Sequence, residues 1–122
     1  MDYLSRVHID ELRFLVGDAV SSIEIGKYQI VLILNSGAIT IYSKLYYTNK
    51  NNVTVVNDAE EEKLDCSFTE ILEKKIDHTE FQEPAFLVLE FDDHTRLKIL
   101  GDGSGYEAFL VNTSDGRIFV FS

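Results

Sequence analysis

Ile30-Val31-Leu32-Ile33-Leu34-Asn35-Ser36-Gly37 and Leu87-Val88-Leu89-Glu90-Phe91-Asp92-Asp93-His94 are two versions of one pattern. Each is an apolar run of strand length that ends in turn-forming residues. After one inserted residue in the second copy, Ile39-Thr40-Ile41 matches Leu97-Lys98-Ile99. Strand, tight turn and strand, written twice, imply a duplicated β-meander. Alternating hairpins also resemble one another by chance, and short alternating patterns make that a serious alternative.

Working outward from the first copy, Val20 to Ile25 reads as a strand that Gly26-Lys27 turns into the run beginning at Tyr28. Apolar residues at nearly every position from Ile30 to Leu34 predict a central strand covered on both faces. Beyond Ser36-Gly37, Ala38 to Tyr47 reads as one strand, and Val53 to Val56 as another after the polar turn Asn49-Lys50-Asn51-Asn52. Around the second copy, Thr79–Gln82, Phe86–Phe91, Thr95–Leu100, Tyr106–Asn112 and Arg117–Phe121 read as strands. Asp115-Gly116 is the strongest hairpin signal among their separators. His94 stands where the first copy has Gly37, which predicts a positive φ at His94.

Two stretches read as helical. Ile9, Leu12 and Val16 share a face before Gly17 stops the turn. Ser67-Phe68-Thr69-Glu70 has capping-box spacing, and Phe68, Ile71, Leu72 and Ile76 follow at helical intervals, with Glu70 and Lys74 paired four apart. The expected fold class is therefore α+β, mostly antiparallel β: one domain over 1–122, with a first meander at 17–56 and a second at 79–122. An acidic segment at 57–78 lies between them and contains the bridging amphipathic helix, about 67–77.

The 122 residues are 45% hydrophobic and 11% aromatic, enough for a folded core. The N-terminus lacks the basic start and apolar run of a signal peptide, and no apolar stretch could span a bilayer as a helix. A single cysteine, Cys66, rules out an intrachain disulfide. These features point to the cytoplasm. The net charge of −10 is very uneven: residues 1–56 and 94–122 each sum to zero, while 57–93 carry thirteen acidic groups against Lys63, Lys74 and Lys75. Such a field disfavours nucleic acid and anionic membrane and favours a cationic protein.

Signals for chemistry are weak. His8, His78 and His94 share no zinc-ligand spacing with one another or with Cys66. Asp102-Gly103-Ser104-Gly105 has too few alternating carboxylates for a calcium loop and no strand-to-helix context for a phosphate loop. Cys66 precedes the expected helix, but the acidic residues around it oppose a thiolate. No metal, cofactor or catalytic group is expected, and the chain reads as a non-enzyme.

Phe91-Asp92-Asp93-His94-Thr95-Arg96-Leu97, Tyr106-Glu107-Ala108-Phe109 and Asp115-Gly116-Arg117-Ile118-Phe119-Val120 resemble the hairpin, Tyr-Glu-Ala-Trp element and closing strands of a family of small bacterial domains of unknown function. His94 replaces that family's turn glycine, and Phe109 its tryptophan. Some members of the family resemble immunity partners in toxin systems. The resemblance marks Tyr106, Glu107 and Phe109 as motif residues and, since the family has no established activity to carry over, supports the fold more than the function. With the charge distribution, it leads to an immunity protein that neutralises a cationic, nuclease-type toxin domain. Glu60, Glu61, Glu62, Asp65, Asp92 and Asp93 are then the expected contacts. The alternative is a small-ligand-binding or structural housekeeping domain, and the sequence leaves the oligomeric state open, a homo-oligomer included.

Overall fold

A computed structural model describes residues 9–60, 63–82, 86–101 and 108–121. Ten strands form two five-stranded antiparallel sheets. They are β1 (Val20–Gly26), β2 (Gln29–Leu34), β3 (Gly37–Ile41), β4 (Lys44–Thr48), β5 (Thr54–Asp58), β6 (Ile76–Gln82), β7 (Phe86–Phe91), β8 (Arg96–Leu100), β9 (Phe109–Thr113) and β10 (Ile118–Phe121). The first sheet runs β1-β2-β3-β9-β10 and the second β5-β4-β8-β7-β6. Inward residues of both, including Leu32, Ile39, Val111, Leu89, Leu97 and Tyr47, belong to one buried apolar cluster.

This order is a reciprocal exchange. Each half lays down three consecutive strands in one sheet and then sends its last hairpin to the other. Thus β4 and β5 pair beside β8, while β9 and β10 pair beside β3. The register carries the equivalence to single residues. Ile39 faces Leu32 and Val111, as Leu97 faces Leu89 and Tyr47. Both first strands carry an irregularity at the same place, between Val20 and Ser22 and between Ile76 and His78. At the junction of the halves, the N–H of Gly17 donates to the Ile76 carbonyl and the N–H of Glu73 to the Val20 carbonyl, both at 2.7 Å. Gly17 and Glu73 share a left-handed backbone, φ 88° and 66°. Chance similarity of hairpins does not produce matching bulges, matching φ and reciprocal hydrogen bonds, so the internal repeat is a property of the fold.

The bridging helix expected over 67–77 is corrected. A short 3-10 segment spans Cys66–Ile71, and the chain then enters β6 at Ile76. Asp65, not Ser67, caps the segment, accepting the Ser67 N–H at 2.9 Å. Glu70 accepts from the Tyr47 hydroxyl at 2.9 Å instead of pairing with Lys74, which reaches Asp93. Leu72 turns extended and Glu73 left-handed because Ile76 is required opposite Phe91 in the sheet. A helix of this length is marginal on its own, so the tertiary demand for a strand prevails. The equivalent piece of the first half, Ile9–Leu15, is also 3-10, and Leu12 and Leu15 are buried as Phe68 and Ile71 are. No α-helix occurs among the described residues, and the architecture is β throughout.

The strand expected over Ala38–Tyr47 is divided at Tyr42-Ser43, where the chain passes from the first sheet to the second. His94 has the positive φ expected of it, 71°. Its equivalence to Gly37 does not hold, because register matches Gly37 with Thr95. His94 is the extra residue of a three-residue turn closed by the Phe91 N–H on the Thr95 carbonyl, a loop length that favours a left-handed third position.

Candidate partner-binding surface

The described acidic residues among those singled out in the sequence do not form one surface. Glu60 follows β5 at the end of the second sheet marked by Asp58, Lys44 and Leu100. Asp92 and Asp93 lie at the opposite end, in the β7–β8 turn beside the β4–β5 loop, where Lys50 approaches Asp93 at 3.9 Å. Glu61, Glu62, Tyr106 and Glu107 lie outside the described residues. Phe109 is buried and stacks on Phe121 with ring centroids 4.6 Å apart, which makes it part of the core.

Two of the remaining acids serve the fold. Asp65 caps the second 3-10 segment, and the Ser67 N–H holds its carboxyl below the usual range. Asp93 stitches the β7–β8 turn to the approach of β6, accepting from Lys74 and from the Thr95 hydroxyl at 2.6 Å and N–H at 3.1 Å. Burial opposes its ionisation, but Lys74 and Thr95 outweigh that and hold the carboxyl at about 2. Nearby, burial and then the Glu70 carboxylate push the Tyr47 phenol up to about 12. Of the described candidates, Glu60 and Asp92 have exposed side chains that enter neither of these joints.

Strand order also dilutes the acidic third. β8 and β4 are inserted beside it and bring Arg96 directly opposite Glu90 and Lys44 opposite Asp58. The acidity that stays uncompensated in the ladder sits on β6, the terminal strand, which exposes Asp77, His78 and Glu80. An open depression of about 840 Å³ runs along it, lined by Asp77 to Phe81 and by Arg13 and Val16 of the first 3-10 segment. Asp92 adjoins its start, because the Asp92 N–H donates to the Lys75 carbonyl at 3.0 Å. Sequence reading missed Asp77 and Glu80. The helix assignment over 67–77 concealed Asp77, whereas Glu80 lay on the strand read at Thr79–Gln82, and only the strand order shows that this strand is terminal.

No group of histidine, cysteine or acidic side chains among the described residues could hold a metal ion, and Cys66 is exposed. No described helix is long and apolar enough to cross a membrane. No family model matches the chain, and no curated protein or solved structure matches it either.

Proposed function

We propose that the chain is a non-enzymatic binding protein that takes a cationic protein along the acidic β6 edge, acting as an immunity partner of a basic toxin domain. The observation that carries this reading is a terminal strand exposing Asp77 and Glu80 beside an open depression. Beyond Ile76, whose carbonyl and N–H are taken by Gly17 and Asp18, a terminal strand offers backbone groups to which an extended partner segment can add. Lysine or arginine on that segment would meet Asp77, Glu80 and Asp92, and the field of a −10 chain would speed the encounter. A nuclease-type toxin must be basic to hold nucleic acid, so its surface is the physical complement.

The test isolates the partner from the host's own lysate and then measures its association rate against salt. The expected partner is strongly basic. Its association should slow about ten-fold or more in the Asp77→Lys/Glu80→Lys variant at low salt, with the gap closing as ionic strength rises. Glu60→Lys, at the far end of the sheet, should change the rate much less. A neutral partner, or equal rates for all three proteins at low salt, contradicts the reading.

A further inference from the structure

The two sheets present opposite outer faces built on equivalent positions. In the first, Glu24-Val31-Thr40-Leu110-Val120 form one cross-strand row and Ser22-Ile33-Ala38-Asn112-Ile118 the next. In the second, the matching rows are Glu80-Val88-Lys98-Tyr46-Val56 and His78-Glu90-Arg96-Thr48-Thr54. Where the second sheet has Glu90, Arg96 and Lys98, the first has Ile33, Ala38 and Thr40. Its one charged group in these rows is Glu24, on the terminal strand β1 and so at the rim. Ile118 is 60% exposed at the other rim, and Val31, Ile33, Leu110 and Val120 are covered only in part by their neighbours.

We infer that this face is the contact between two copies of the chain, packed sheet on sheet. Charge selects the occupant. The net charge of −10 sits in residues 57–93, so copies that meet through that third oppose like charges, whereas the outer rows of the first sheet bring none together except Glu24 at the rim. A cationic partner finds no complement there. A regular antiparallel face is also self-complementary about a two-fold axis, and sheets pack face to face about 10 Å apart.

Area sets the strength. Five strands about 4.8 Å apart and about 17 Å long present roughly 400 Å² per copy, or roughly 800 Å² in the pair. Stable dimers bury about 1,200 Å² or more, so this one is weak and dissociates on dilution.

Sedimentation equilibrium of the full chain, from about 1 to 500 µM, tests the inference. The dimer fraction should rise with concentration. Its Kd should fall several-fold between about 0.05 and 0.5 M salt as repulsion is screened, opposite in sign to the salt effect on a cationic partner. This opposite sign keeps the failure of either reading separate from the other. Ile33→Glu should raise Kd about ten-fold or more, and Val88→Glu, at the equivalent position of the other sheet, should leave it unchanged. Thr40→Lys should also raise it, and that surface change carries the test if Ile33→Glu does not fold. A monomer at every concentration overturns the inference, whether or not another macromolecule binds the face. So does association that Val88→Glu weakens as much as Ile33→Glu.

Discussion

The turn between β2 and β3 and the turn between β7 and β8 occupy equivalent places, and they are tied to the junction by different chemistry. In the first, the carboxylate of Asp18 accepts from the N–H groups of Ala19, Asn35 and Ser36 at 2.8, 3.1 and 2.9 Å and from the Ser36 hydroxyl. In the second, Lys74 stands in the place of Asp18, and the carboxylate has moved into the turn as Asp93. Donor and acceptor have changed sides while the joint remains. The lesson is that the repeat conserves contacts between segments, and residue types are free to vary where the contact can be remade. The outer faces follow the same rule, since solvent-facing positions diverge from apolar to charged without disturbing register.

The largest expected effect lies where the repeats cannot be exchanged. A Cβ added to Gly37 would lie 1.9 Å from the Asn112 carbonyl oxygen, whereas the matching residue in the second half is Thr95. Gly37→Ala should therefore cost about 3 kcal/mol or more, by forcing β3 and β9 apart. Thr95→Ala should cost about 1 kcal/mol, from the lost bond to Asp93. Urea denaturation of both variants checks the difference, and equal losses would break the comparison.

Next come the joints. Asp18→Ala should cost about 2 kcal/mol, because the turn N–H groups lose their acceptor. Lys74→Met should cost less, since Thr95 still serves Asp93. Acid acts on both joints in the same direction. Burial resists ionisation of Asp18, but the Ser36, Ala19 and Asn35 donors outweigh it and lower its pKa, as Lys74 and Thr95 do for Asp93. A carboxyl lowered in the folded state contributes fully above its unfolded value, near pH 4, and loses that contribution as pH falls through its folded value. For Asp93 the loss runs from about pH 4 to about 2. Asp93→Asn should flatten the stability curve in that window, as read from melting at stepped pH.

The smallest stability change expected in the turns is at His94. With φ at 71° and no place in the joint, His94→Gly should stabilise by up to about 1 kcal/mol. A clear loss would mean that the imidazole makes a contact that holds the turn.

Much of this plan was legible in the sequence. The apolar runs as strands, the Asp115-Gly116 turn and the repeat itself depend on local pattern. The positive φ of His94, by contrast, was reached through an equivalence to Gly37 that register does not keep. β2, expected to be covered on both faces, leaves Val31 and Ile33 only part-covered. Three further features were not legible, and each has a tertiary cause. The 67–77 stretch has helical spacing, yet Ile76 is claimed by Phe91 and Glu70 by Tyr47. Ala38–Tyr47 reads as unbroken β, yet two sheets share it. The acidic third looks like a belt, yet strand order places Arg96 and Lys44 among its carboxylates and leaves Asp77 and Glu80 on the edge.

The central claim is that the two sheets are one design whose solvent faces have diverged, and a graft between them tests it directly. Ile33→Glu, Ala38→Arg and Thr40→Lys together give the first sheet the charged set of the second, with the pair at 33 and 38 in the register of Glu90 and Arg96. The melting temperature of the triple variant is the measurement. The account predicts a cooperative transition within a few degrees of the parent, because all three positions face outward and the grafted pair already works in the other sheet. Loss of the folded state, or a fall of more than about ten degrees, would contradict it.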